Sequence, residues 1–346
     1  MSRIRAAVIG TGAFGGNHIR VLSQLPDVEL VAVVDTDLER AQHLAAAHNT
    51  SAFAATEQVL NHIDAAIVAT PTVTHEPVAT PLLEAGIDVL IEKPIADSSA
   101  AGQRLALLAR DRGRLLQVGH LERFNPAVTA LENALTVPLF FEIHRLSVFT
   151  PRSLDIDVVL DLMIHDLDIV LSFTRELPDE IRAAGISVLS PRVDIANVRL
   201  SFASGCIANL TASRVSTEKV RKLRLFQPGE YISLDYERQD ALRLAIRKNE
   251  ANSRPQAGFV SQNAPSLRLL RSEIGFESQI GFESLPVNKA EPLRLELASF
   301  FTAVRDRTEP RVDGFQAANA LRIAENILVK IEEHSQLVSE TIRRRT

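Results

Sequence analysis

Residues 8–16 read Val-Ile-Gly-Thr-Gly-Ala-Phe-Gly-Gly, a short apolar run that passes straight into Gly10, Gly12 and Gly15. Between a strand and a helix these glycines have separate tasks. Gly10 permits the tight turn, Gly12 leaves room for backbone to approach a pyrophosphate, and Gly15 lets the helix pack closely on the sheet. The backbone at Ala13 and Phe14 would then offer free N–H donors and the positive end of a helix dipole to phosphates. The required context is present: residues 17–24 are helical in pattern, and an apolar strand at 29–34 closes on Asp35. That carboxylate lies about twenty residues past Gly15, where ribose hydroxyls are held. The stretch therefore predicts a dinucleotide site built from Gly10, Gly12, Ala13, Phe14, Gly15 and Asp35.

Asp35 also bears on which dinucleotide fits. It is followed by Thr36 and Asp37, so a 2′-phosphate would face carboxylates and not a guanidinium, which favours NAD over NADP. Arg40, one helical turn further on, keeps NADP as the lesser alternative. A second reading of Asp35 is a helix cap.

Working outward, short apolar strands at 6–9, 30–34, 65–69, 89–92 and 115–119 alternate with helical stretches at 16–24, 38–48, 57–60, 76–85 and 98–112. That alternation predicts an α/β Rossmann domain over 1–120, a doubly wound parallel sheet covered on both faces. Past Gly119 the pattern changes. Segments 140–148, 196–202, 206–213 and 222–227 alternate apolar and polar residues, with a helix at 158–173 between the first two. Such alternation predicts a second, α+β domain over 121–346 whose open, mainly antiparallel sheet has one face free. A free face suggests a homo-oligomer, a dimer or tetramer. Residues 248–265 read as a long polar loop, and Ile-Gly-Phe-Glu-Ser occurs twice, at 274–278 and 280–284, as a local duplication. Helices at 292–307 and 314–335 are expected to pack back on the first domain.

Composition narrows the class. The 346 residues, 46% hydrophobic and 23% charged, are ordinary for a globular chain and sufficient for two domains. A net charge of -5, with basic residues scattered except at Arg343-Arg344-Arg345, argues against nucleic acid as a partner. Cys206 is the only cysteine, which excludes an intramolecular disulfide and fits a reducing compartment. The first strand begins almost at once and no apolar run is long enough to span a bilayer, so a cytoplasmic location without membrane association is expected.

Two loops at carboxyl ends of strands, where open α/β sheets bind ligands, carry further candidates. One is Ala69-Thr70-Pro71-Thr72 with His75; the other is Glu92-Lys93-Pro94. Proline biases Lys93 to an extended conformation, projecting its ammonium into the crevice, where it could hold a substrate oxygen or exchange a proton. Its alternative is a surface lysine. A third signal is Asp161-Leu-Met-Ile-His165-Asp166-Leu-Asp168, in which Asp161 and His165 share a helix face. Oxidising an alcohol needs a base near neutral pKa, which histidine supplies. A satisfied core histidine is the competing reading of His165, and Asp166 and Asp168 are expected to be helix-surface charges. No metal site is expected: Asp161, His165 and Asp168 have suitable types, but neither cysteines nor a HExxH pattern support one.

Taken together, GxGxxG near the start, EKP at 92–94, GHLERFNP at 119–126 and DxxxHD at 161–166 resemble the Gfo/Idh/MocA family of oxidoreductases over nearly the whole chain. The resemblance implies a nicotinamide cofactor and oxidation of a sugar or polyol hydroxyl. It implies catalytic or substrate-positioning roles for Lys93, Asp161 and His165, and a cofactor face that includes Thr70, Pro71, His75, Glu92 and Lys93. Substrate contacts are expected from Glu122, Arg123, Asn125 and Arg152 as well. Where many members carry glycine between the aspartate and histidine, this chain has Met163. GHLERFNPAV and VVLDLMIHDLDI look most like the nucleotide-sugar branch, which oxidises C3 of UDP-N-acetylglucosamine in amino-sugar biosynthesis. A diphosphate would need donors, for which Arg123, Asn125, Arg145 and Arg152 are candidates; Arg145 and Arg152 are otherwise surface residues. A free polyol such as an inositol is the alternative substrate, and a non-catalytic NAD- or sugar-sensing regulator the alternative class.

Overall fold

A computed structural model describes residues 3–150, 156–246 and 280–345. Its first half is wound around strands β1 (Ile4–Ile9), β2 (Val28–Val34), β3 (Ser51–Phe53), β4 (Ala65–Val68), β5 (Asp88–Glu92) and β6 (Leu116–Gly119), in the spatial order β3-β2-β1-β4-β5-β6. Every pairing is parallel. Helices α1 (Ala13–Leu22), α2 (Leu38–His48), α3 (His75–Glu84) and α4 (Ser99–Asp111) make the crossovers. Burial on both faces explains why these strands are continuous apolar runs: Val8, Ile67 and Leu90 belong to one core, Ile9, Val68 and Ile91 to the other. The order reverses between β1 and β4, so their outgoing loops diverge and leave a crevice at the carboxyl ends.

Local chemistry fixes the helix starts. Asp37 accepts from the Arg40 N–H at 3.1 Å and Ser98 from the Ala101 N–H at 3.3 Å, capping α2 and α4. Asp35 is not the cap. Two details depart from expectation: β3, only three residues, escaped the sequence pattern, and the helix expected at 57–60 is a single 3₁₀ turn over Thr56–Gln58.

The second half opens with α5 (Pro126–Ala134) and β7 (Phe140–Val148). The helix expected over 158–173 is in two parts, a π-helical turn, Val159–Met163, followed by α6 (Ile164–Thr174). Then come β8 (Glu180–Ile186), β9 (Ile195–Ser201), β10 (Ile207–Ser216), β11 (Val220–Gln227), β12 (Glu230–Asp235), β13 (Asp240–Ile246) and β14 (Ile280–Ser284). They form one sheet in the order β14-β13-β12-β11-β7-β10-β9-β8, antiparallel except between β7 and β10. Phe141, Ile143, Ala208, Leu210, Leu223 and Leu225 point to a core shared with Leu167 and Val170 of α6. Alternate residues Glu142, His144, Asn209 and Arg224 occupy the other face and are only half-buried. The second Ile-Gly-Phe-Glu-Ser copy is β14; the first copy and the loop 248–265 lie outside the described residues.

The chain closes with α7 (Pro292–Asp306) and α8 (Gly314–Arg345), the latter ten residues longer than its expected end at 335. Helix α7 lays Leu297, Phe300 and Phe301 on the first sheet, in one core with Val8, Ile67 and Leu90. Helix α8 gives Ala317 and Leu321 to the first half and Ile323, Ile327 and Ile331 to the second.

Candidate active site

At the end of β1 the glycines are set by contact. Gly10 has φ +92°, and a Cβ there would meet the Ala69 carbonyl oxygen at 2.5 Å; on Gly15 it would fall 1.9 Å from the Gly10 carbonyl oxygen. A Cβ on Gly12 would touch no protein atom within 4 Å. Gly12 is the N-cap of α1 and brings no side-chain cap, so the first-turn amides at Ala13 and Phe14 face the crevice. Phe14 is 64% exposed beside them. A close-approach glycine over uncapped helix amides fits a dinucleotide pyrophosphate.

Asp35 is held by four donors. Oδ2 accepts from the Thr11 N–H and Oγ1, both at 2.7 Å, while Oδ1 accepts from the Asp37 N–H at 2.9 Å and Arg40 Nη2 at 2.8 Å. Burial pushes its pKa up, but these bonds outweigh burial and hold it at about 2. It is therefore a fixed anion. The Arg40 guanidinium, which also reaches Thr11 Oγ1 at 3.1 Å, is committed to this carboxylate, in keeping with NAD.

His75, expected on the cofactor face, also joins two loops. It is buried, and its ring nitrogens sit 2.9 Å from the carbonyls of Pro94 and Thr70, bracing the loops after β4 and β5 against each other. Thr70 and Pro71 lie in the first of those loops. Glu92 turns inward: Oε1 is 2.7 Å from Nε2 of buried His18 and Oε2 accepts the Lys93 N–H at 3.3 Å. Burial raises its pKa, but His18 and Lys93 bring it below the ordinary glutamate value.

Lys93 does not continue the strand as its sequence context suggested. β5 ends at Glu92 and the Lys93-Pro94 peptide is cis. Its ammonium nevertheless crosses to the second half, donating to the Asp161 carbonyl at 2.8 Å with the Asp161 carboxylate 3.6 Å away. Asp161 sits in the π turn, whose wider winding departs from the α-helical ladder and turns a carbonyl toward the lysine. Burial lowers the Lys93 pKa, opposed by Asp161 and Glu92. His165, in the first turn of α6, is half-buried; burial, and after it Lys93 and Arg145, hold it well below the usual histidine range and so neutral. Its Nδ1 is sealed and has no hydrogen-bond partner among the described residues. His120 stands edge-on to it, ring centroids 6.2 Å apart. Lys93, Asp161 and His165 thus converge.

The neighbouring charges are not the surface charges expected. Asp166 and Asp168 are each 2% exposed. Asp166 takes a bidentate pair from Arg145, Nε and Nη2 both at 2.8 Å, because α6 lies against the sheet and a charge there must be matched. Arg145, considered as a diphosphate donor or surface residue, is itself buried: it reaches Glu122 at 3.0 Å and lies 5.0 Å over the Tyr236 ring. Glu122 and Asn125 close the same network. Asn125 donates to Glu122 at 3.2 Å and to the Tyr236 carbonyl at 3.0 Å while capping α5 through the Ala127 N–H. Arg123 is buried 3.6 Å from Asp168. These residues form the wall behind the site, while Arg152 lies outside the described residues. Among the described residues no group of three or more His, Cys, Asp or Glu could hold a metal.

Sequence reasoning gave no role to His18, His120 or Glu296. His120 lay inside a quoted motif. Glu296 falls between Leu293 and Phe300 on the apolar face of α7, a misplaced charge visible from helical spacing.

This pairing of a glycine-bounded nucleotide crevice with a lysine, aspartate and histidine from across the cleft has known counterparts. Residues 4–120 match the GFO_IDH_MocA oxidoreductase family with its NAD-binding Rossmann fold, and residues 141–227 its C-terminal domain. The chain belongs to the Gfo/Idh/MocA family of NAD-binding oxidoreductases. It is 33% identical over 337 residues to the UDP-N-acetylglucosamine 3-dehydrogenase of Acidithiobacillus ferrooxidans, covering 97% of this chain and 100% of that enzyme. The solved structure of that dehydrogenase superposes with a TM-score of 0.84 at 31% identity, covering 96% of this chain and 99% of that one. The inositol 2-dehydrogenase of Rubrobacter xylanophilus is 30% identical over 229 residues, covering 62% of this chain and 66% of that enzyme. A putative myo-inositol dehydrogenase from Sinorhizobium meliloti, 21% identical with a TM-score of 0.75 over 95% of this chain and 98% of that one, shares the fold. No helix among the described residues is long and apolar enough to cross a membrane.

Proposed function

We propose that this protein oxidises the C3 hydroxyl of a UDP-linked N-acetylhexosamine to a ketone, with NAD as oxidant. The observation that carries the reading is the meeting of Lys93, from the nucleotide-binding half, with Asp161 and His165 from the other. Residues 1–120 hold the cofactor and 121–346 present the sugar. Bound NAD supplies the hydride acceptor. Lys93, steadied by Asp161, holds the reacting oxygen beside its ammonium and favours the alkoxide electrostatically. His165, kept neutral, accepts the hydroxyl proton at Nε2. Arg152 remains the candidate for the sugar's diphosphate, since Arg123 is buried against Asp168; Glu122 and Asn125 position the wall behind the site. A cytoplasmic location agrees with one buried free cysteine.

NADH formation with a panel containing UDP-N-acetylglucosamine and myo-inositol tests the substrate. The nucleotide sugar is expected to react and myo-inositol not; the reverse would establish the polyol reading, which the inositol dehydrogenase relatives favour. Lys93→Ala and His165→Ala should each lower kcat about 10²–10⁴-fold while NAD still binds. Wild-type turnover in both would refute the site.

A further inference from the structure

The proton that leaves the substrate must also leave the protein. His165 receives it beneath cofactor and sugar, on a ring whose other nitrogen is sealed. The atoms beyond that nitrogen are unusual for a folded interior, where buried polar groups nearly always have partners. His120, at the end of β6, is 1% exposed, and neither of its ring nitrogens has a hydrogen-bond partner among the described residues. Arg123 Nε likewise has no hydrogen-bond partner among the described residues, while Asp168 Oδ2 and Arg123 Nη1 face each other as an ion pair at 3.6 Å, longer than a hydrogen bond. These groups are contiguous. His165 and His120 stand edge-on at 6.2 Å between centroids, a separation that one bridging water spans, and Asp168 is the principal negative charge acting on His120. Asp168 and Arg123, 3.6 Å apart, in turn line a cavity of about 450 Å³ on the far side of α6, bounded also by Glu132, Arg175, Gln316 and Asn319.

Resting on the site reading above, we propose that His120 and Asp168 carry the substrate's hydroxyl proton from His165 to this rear cavity, so that hydride and proton leave the reacting centre in opposite directions. The carbinol C–H bond breaks with its electron pair passing to NAD, which is reduced. The O–H bond breaks with its proton passing to His165 Nε2, and the carbonyl forms. His165 releases a proton from Nδ1 through a bridging water to one nitrogen of His120, which releases another from its second nitrogen to the Asp168 carboxylate. Asp168 delivers it to solvent in the cavity, so that one proton leaves per NADH formed. An imidazole with two free nitrogens suits this task, since it accepts on one side and donates on the other. The groups acting on His120 are consistent with a neutral resting ring: burial and the cations of Lys93 and Arg123 lower its pKa, while Asp168 and Glu92 raise it.

The test compares steady-state oxidation of whichever sugar reduces NAD in the substrate panel. His120→Phe, which keeps a ring and removes both nitrogens, should lower kcat about tenfold or more and leave KM for the sugar unchanged, whereas His120→Ala, which vacates the ring's space, should regain turnover when imidazole is added to the buffer. Asp168→Asn should shift the pH profile of kcat in the same preparation and serves if His120→Phe does not fold. Unchanged kcat, or a loss that rises with KM and that imidazole leaves untouched, overturns the relay. Lys93→Ala and His165→Ala separate the two readings. If those variants stay active the site is wrong; if they are inactive while His120→Phe and Asp168→Asn match wild type, only the relay is.

Discussion

Glu296 is buried with nothing beside it that offsets the loss of water. Its carboxyl is enclosed in α7, with no hydrogen-bond partner for either oxygen among the described residues. Burial first, and then the charge of Glu92, raise its pKa well above 4.5, so in the folded protein it is a neutral acid. An acid with a raised folded-state pKa keeps its proton in the native state and loses it in the unfolded one, so stability falls as pH climbs above 4.5. Glu296→Gln removes that dependence. Thermal melts should show the variant a few degrees more stable than wild type at pH 8, with the gap closing toward pH 4; a gap independent of pH would contradict the burial. The same physics limited what could be read residue by residue. Lys93, Asp161 and His165 stood out because chemistry selects their types. Asp166 and Asp168 read as solvated charges in the sequence because charged side chains are seldom enclosed unless matched. Their matches, Arg145 and Arg123, come from other segments, 21 residues away in the case of Asp166.

At the level of elements, the glycine turn offers a clean contrast. Gly15→Ala places a methyl carbon 1.9 Å from a backbone oxygen that cannot move without dislodging β1 from α1, so the variant should lose roughly 2 kcal/mol or more together with NAD binding. Gly12→Ala meets no protein atom within 4 Å; its melting temperature should stay near wild type while its affinity for NAD falls. Calorimetric titration alongside melts separates the two, and equal destabilisation would undo the distinction. Strands and helices were legible where periodicity is strong, as in β1, β2, α2 and α4. It failed at β3, too short to show a period, and at the π turn, where composition is that of any apolar helix and only the pull of Lys93 on the Asp161 carbonyl marks the difference. The route by which Lys93 reaches Asp161 could not be read from Pro94 either.

At the scale of the whole molecule, the two-part architecture followed from a change of hydrophobic period near Gly119, and the two closing helices pack back on the first half as expected, α8 entering the second core as well. The second sheet turns Phe140, Phe226 and Tyr231 outward as an aromatic cluster, with ring centroids 5.8 and 5.0 Å apart, beside half-buried Glu142, His144 and Arg224. We propose that this face pairs with a second copy of the chain, because an open strand surface that ends in an aromatic cluster beside half-buried charged side chains suits a homo-oligomer contact. Light scattering should give a mass at least twice 38.0 kDa, falling toward one chain's mass in Phe226→Glu. A wild-type mass of one chain would refute the pairing.

One helix sets a mechanical limit on everything the cleft can do. α8 is riveted at Ala317 and Leu321 into one lobe and at Ile323, Ile327 and Ile331 into the other, and its Glu325 also takes the Ser99 N–H at 2.8 Å. A single rigid rod anchored at both ends leaves no hinge between its anchor points. Swinging the lobes apart would strip the packing from one end of the rod, so the cleft is expected to hold its width from one turnover to the next.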